Sequence, residues 1–197
     1  MQTALAILTA YLLGSIPFAM ISSKVFGLAD PRTYGSGNPG ATNVLRSGNK
    51  KAALFTLIGD ALKGWLAVFV AHKLGFSDNA VGLVALAVFL GHLYPVFLKF
   101  KGGKGVATAA GVLIALDPML GLAVAGSWLA VAYISRYSSL AAVLAAGLAP
   151  VYWVLAHGVN NTVIVVGIIA MALIGKHWQN IQRLMVGQES KIGGKKK

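Results

Sequence analysis

The sequence predicts an all-α, polytopic membrane protein with seven transmembrane helices, its N-terminus outside and its C-terminus in the cytoplasm. Three observations lead there. Hydrophobic residues make up 57% of the 197-residue chain and charged ones only 11%, far from the balance of a soluble domain. Long uncharged apolar runs recur along its whole length, separated by short polar loops. The loops after runs one, three and five, together with the tail, hold every Lys and Arg except Lys63 and Lys73, and positive loops stay inside. The net charge of +12 is therefore topological, and nucleic acid is excluded as a partner. The absence of cysteine excludes disulfides, thiolate chemistry and Cys-based metal sites. Residues 1–192 read as one membrane domain, with 193–197 as a basic, frayed tail attracted to anionic lipid.

The first span covers roughly Thr3 to Ser23, bent at Gly14-Ser15-Ile16-Pro17, and lacks the features of a cleaved signal. The long loop from Lys24 to Lys51 is rich in turn formers, Tyr34 to Asn43 above all. It is either a linker or a folded element, and Asn43-Val44-Leu45-Arg46 resumes a helical pattern. The second span, about Ala52 to His72, carries Asp60 and Lys63 on one face, as a neutralising pair or as a charged site. The third runs from about Ala80 to Leu98, with His92 near its end as a structural hydrogen-bonder.

Val106 to Leu116 is too short to cross a bilayer by itself. Either the glycine loop before it forms its first turn, or that loop dips into the headgroups. Asp117-Pro118 turns the chain into a fifth span ending near Ile134. Ser138 or Ser139 is expected to cap the sixth, with the other serine free to meet a substrate oxygen beside Arg136. The seventh ends near Gly175. Beyond it, Lys176 to Met185 has Trp178, Ile181 and Met185 on one face, and His177, Asn180 and Arg183 on another, which suits an interfacial helix.

One stretch organises the rest. In Gly91–Gly111, three lysines, Lys99, Lys101 and Lys104, lie among glycines just before a helix. Glycines let a backbone approach an anion, N–H groups at the helix start point outward, and lysine adds charge. On the predicted topology the Ser36–Arg46 loop, this loop, Arg136-Tyr137-Ser138 and the His177–Arg183 tail share the cytoplasmic face.

The segments GSIPFA (14–19), GSGNPGATNVLR (35–46), GHLYPVFLKFKGGKGVATAAG (91–111) and HWQNIQRL (177–184), with Gly187 and Glu189, resemble the PlsY family. These are bacterial inner-membrane acyl-phosphate:glycerol-3-phosphate acyltransferases. The resemblance implies acyl transfer from acyl phosphate to the 1-hydroxyl of glycerol 3-phosphate, giving lysophosphatidic acid and phosphate. It also implies the first step of phospholipid synthesis, with no cofactor or metal, and with the enzyme that supplies acyl phosphate as a partner. By that resemblance Ser36, Asn38, Asn43 and Arg46 form a first motif for phosphate and carbonyl contacts. Gly102, Gly103, Lys104 and Gly105, flanked by Lys101 and Thr108, cradle glycerol 3-phosphate. His177 and Asn180 orient polar substrate groups, Ser138 and Ser139 add hydroxyls, and Glu189 pairs with basic residues to hold the tail. Ser36, Arg46, Lys104 and His177 are the expected catalytic set.

None of His72, His92, His157 and His177 is followed, four residues intervening, by Asp, so the histidine–aspartate arrangement of other glycerolipid acyltransferases is absent. Either His177 or the departing phosphate takes the hydroxyl proton, and the lack of a carboxylate to orient His177 favours phosphate. An anion transporter and a nucleotide kinase are the rival classes. One-sided clustering of the polar residues counts against the first, and Gly105 in the Ser/Thr position of the P-loop pattern against the second.

Overall fold

The computed structural model describes residues 1–193; the rest of the predicted basic tail lies outside the described residues. Among them the chain is helical throughout: α1 (Gln2–Gly14), α2 (Phe18–Val25), α3 (Ala41–Leu45), α4 (Lys50–Lys73), α5 (Asp78–Leu93), a 3₁₀ turn at Val96–Leu98, α6 (Val106–Leu116), α7 (Pro118–Ser135), α8 (Ser138–His157), α9 (Asn161–Lys176) and α10 (Trp178–Met185). Five segments are long and apolar enough to cross a membrane: Gln2–Val25, Lys50–Lys73, Asp78–Leu98, Pro118–Ser135 and Ser138–His157. Helices α9 and α10, bent by 57°, pass the same test only when taken together. Helix α6, with 11 residues, is about 16 Å long, half of a ~30 Å hydrocarbon layer.

The first span breaks where Pro17 lacks an N–H, between α1 and α2. Neighbours tie the break down. Lys63 Nζ donates to the Ile16 carbonyl at 2.8 Å, and the Val96 N–H donates to Ser15 Oγ at 3.3 Å. Helices begin on side-chain caps at Asn49, Asp117 and Asn160, with Pro118 in the first turn of α7. The expected serine cap of α8 is not there. Tyr137 occupies that position, its N–H donating to Ser135 Oγ, while Ser139 Oγ turns away to bond Glu189. The glycine loop is not the first turn of α6 either, because Gly105 has φ +83° and the helix starts only after it.

The loop between α2 and α4 is a folded element. Val44 is fully buried with Ala19, Ala52 and Ala53, and Phe26 and Leu28 close over them. Around the central α5, Val84, Val88, Phe89 and Leu93 pack against α1, α4 and α9, while Leu54, Ile58 and Leu62 stay exposed on α4, where lipid replaces water. Helices α4 and α6 approach through glycine. A Cβ on Gly111 would strike the Ala61 carbonyl, and one on Gly64 the Thr108 carbonyl. That contact fixes the start of α6, and with it the glycine loop, against α4.

Candidate active site

The α2–α4 loop, the loop into α6, the start of α8 and the α9–α10 junction surround one cavity of about 810 Å³. Most of the predicted site residues line it. Ser36, Asn38, Asn43 and Arg46 come from the first loop and α3, and Lys104 and Gly105 from the second loop. Ser138 and Ser139 come from α8, and His177 and Asn180 from the tail. Deeper in, the walls turn apolar: Ala142, Ala146 and Ala149 of α8 face Val124 and Trp128 of α7, with Ile169 of α9 and Leu113 of α6. The other four predicted residues stand apart. Lys101 is exposed outside the cavity, Gly102 and Gly103 pack behind the loop against His92 and Pro95, and Thr108 is buried against α4.

Asn43 is committed to its own loop. Its Oδ1 accepts the Ser36 N–H at 2.9 Å, and its Nδ2 donates to the carbonyls of Pro31 (2.6 Å) and Tyr34 (3.2 Å). It therefore holds Ser36 in place and leaves no side-chain donor spare. Arg46, one turn further on, is exposed, and its guanidinium makes no hydrogen bond among the described residues.

Across the cavity Glu189 is a hub. Its Oε1 accepts from Ser139 Oγ (2.7 Å) and Asn180 Nδ2 (2.6 Å), and its Oε2 from Arg183 Nε (2.7 Å). Burial works against its charge, but those three donors and the Arg183 guanidinium outweigh burial and hold it below the usual carboxylate range. Asn180 completes the chain by accepting a hydrogen bond from Lys104 Nζ through Oδ1. Burial pushes the Lys104 ammonium down to about 8; nearby Glu189 works the other way, while Arg183 and Arg46 add to the depression. The expected Glu189 pairing with basic residues is thus present, and it also clamps α8 to α10. His177 is 3% exposed, and its Nδ1 lies 2.8 Å from the Leu173 carbonyl, to which it must donate. In the neutral ring Nε2 then carries the lone pair.

Arg183, Thr42, Asp60 and His92 also line the cavity and were not among the predicted site residues. The three-residue spacing of His177, Asn180 and Arg183 was the available signal for Arg183. His92, read from the sequence as a structural hydrogen-bonder, finds its partners on another helix and in a loop.

A cation-rich mouth leading to an apolar interior defines a membrane protein that handles an anionic, amphiphilic molecule. A family model described as glycerol-3-phosphate acyltransferase matches residues 4–187. The glycerol-3-phosphate acyltransferase of Dechloromonas aromatica (strain RCB) is 82% identical over the full length of both chains. That of Cupriavidus pinatubonensis is 61% identical, again over all of both. A crystal structure of PlsY, described as an integral membrane glycerol 3-phosphate acyltransferase in its glycerol 3-phosphate form, superposes with a TM-score of 0.92 at 38% identity. The match covers 97% of this chain and 96% of that one. Its lysophosphatidic acid form superposes at 0.91, also at 38% identity, over 97% and 95% of the chains. The chain belongs to the glycerol-3-phosphate acyltransferase family, of the PlsY kind, and is a multi-pass acyltransferase of the bacterial inner membrane. The transporter and kinase readings fall with that finding.

Proposed function

We propose that this acyltransferase moves an acyl group from acyl phosphate to the 1-hydroxyl of glycerol 3-phosphate, as the first step of phospholipid synthesis, releasing lysophosphatidic acid and phosphate. The observation that carries the proposal is one cavity joining three cations, Arg46, Lys104 and Arg183, to a deep apolar wall. Two phosphates fit such a mouth while an acyl chain lies along the alanines of α8. An enzyme that makes acyl phosphate is the implied partner, and the whole of 1–192 acts as one domain. Seven crossings, α6 being the short one, put the mouth in the cytoplasm and the N-terminus outside; the one-sided Lys and Arg distribution supports that orientation.

Arg46 offers a planar fork to a phosphoryl group, and Lys104 a second positive charge. Ser36 and Asn38 contact the carbonyl side, Asn43 holds Ser36, and Asn180 and Glu189 hold Lys104. The 1-hydroxyl oxygen attacks the acyl carbon, the bond from that carbon to the phosphate oxygen breaks, and Arg46 and Lys104 stabilise the charge that develops. The hydroxyl proton ends on the departing phosphate. His177 has a carbonyl, not a carboxylate, at Nδ1, which favours this route over general-base catalysis by the ring.

Purified protein in lipid, offered glycerol 3-phosphate with acyl phosphate or acyl-CoA, tests the donor. Product from acyl phosphate alone, cut about a hundredfold in Lys104→Ala, is expected; equal turnover with acyl-CoA would overturn the assignment. His177→Gln separates the proton routes. Near-normal turnover with a flat response around pH 6–7 is expected, and a loss of several orders of magnitude at unchanged substrate binding would make the imidazole the base.

A further inference from the structure

Behind the glycine loop lies a second ionic cluster. Asp60 and Lys63 of α4 are each 3% exposed and 2.8 Å apart. Lys63 also donates to the Ile16 carbonyl, tying α4 to the break in the first span. His92 of α5 is the third member, its Nδ1 3.4 Å from Asp60 Oδ1. A pair that merely fastened helices would need no third group and no loop. This one reaches a loop: the Gly103 N–H donates to the His92 carbonyl at 3.2 Å. The α-carbon of Gly103 lies so close to the imidazole that any Cβ there would strike Nε2. A Cβ on Gly102 would strike the His92 carbonyl. The residue that follows is Lys104.

From this geometry we infer that Asp60, Lys63 and His92 are positioning residues for the glycine–lysine loop. Asp60 orients the His92 ring, the ring and carbonyl of His92 form the seat for Gly102 and Gly103, and the seat sets where Lys104 enters the cavity. The inference rests on the reading of Lys104 as a ligand of glycerol 3-phosphate. It also gives the two glycines a specific task, since any side chain at 102 or 103 would lift the loop from its seat.

A double-mutant cycle tests it. Asp60→Asn alone leaves Lys63 unpaired and endangers folding, so the main variant is Asp60→Asn with Lys63→Met, which removes both charges together. His92→Gln is the second variant, and Asp60→Glu the conservative control. Initial rates in lipid are measured against glycerol 3-phosphate and against acyl phosphate. In the wild-type background the paired variant and His92→Gln should each raise KM for glycerol 3-phosphate about tenfold and lower kcat with it, with the acyl-phosphate KM changed less than threefold. Asp60→Glu should restore most of the difference. In the Lys104→Ala background the same changes should cost less than twofold further. Equal losses in both backgrounds, or an acyl-phosphate KM that rises along with the glycerol 3-phosphate KM, would overturn the inference and leave the cluster a helix fastener. If Lys104→Ala itself leaves the glycerol 3-phosphate KM unchanged, the reading of Lys104 fails instead.

Discussion

The Asp60–Lys63–His92 cluster and the Glu189 cluster both place charges among apolar helices, and they differ in balance and access. The first pairs one carboxylate with one ammonium, both buried though Asp60 and His92 edge the same cavity, and Lys63 and His92 also bond to backbone. The second sets Arg46, Lys104 and Arg183 against Glu189 alone, around an open cavity. An excess of positive charge that no protein group neutralises is an invitation to anions. A balanced, buried cluster serves shape instead. In this membrane protein, then, charge near a site is not one signal but two, told apart by whether the charges balance.

That contrast predicts unequal responses. The largest belongs to the mouth. Lys104→Ala should lower kcat/KM for glycerol 3-phosphate about a hundredfold or more, as losing a preorganised charge does, with a nearly unchanged melting midpoint in detergent. Next comes the buried cluster probed singly. Lys63→Met strands the Asp60 charge, at a cost of about 3–5 kcal/mol, and should appear first as a lowered melting midpoint; an unchanged midpoint would mean the pair is not buried.

A pH series sharpens the contrast further. Burial pushes the Lys104 ammonium down to about 8, so its charged form predominates below that value and declines above it. Wild-type kcat/KM should therefore hold below pH 8 and fall about tenfold per unit above it, while Lys104→Arg should stay flat to higher pH. The smallest effect is expected at the exposed Asp30–Arg32 pair, where the partners sit 2.6 Å apart in solvent. Arg32→Ala should cost about 0–1 kcal/mol and leave turnover within twofold.

Much of this architecture is readable from local pattern. Helix α6 follows from an apolar run bounded by Gly105 and Asp117, the first break from Pro17, and α10 from the spacing of Trp178, Ile181 and Met185. What local pattern misses depends on residues far apart in the chain. Ser139 does not cap its helix because the helix already begins at Ser138, and its hydroxyl donates instead to Glu189, fifty residues on. Asn43 looks like a substrate ligand in a turn-rich loop, but its amide is spent on Pro31, Tyr34 and Ser36. His92 joins Asp60 only because α5 packs on α4. Type and spacing identify which groups are available; packing decides which remain available.

The shortness of α6 has a kinetic meaning as well. Its 11 residues begin at the glycine loop and are long enough for only half a bilayer, so on the proposed orientation the cationic mouth and the apolar wall meet at the edge of the lipid phase. One substrate then arrives from water in three dimensions and the other by sliding within a sheet. For the second, the quantity that sets the rate is not molarity but mole fraction among the surrounding lipids. Diluting the acyl donor with inert phospholipid, at constant total concentration, slows such an enzyme as surely as removing donor does.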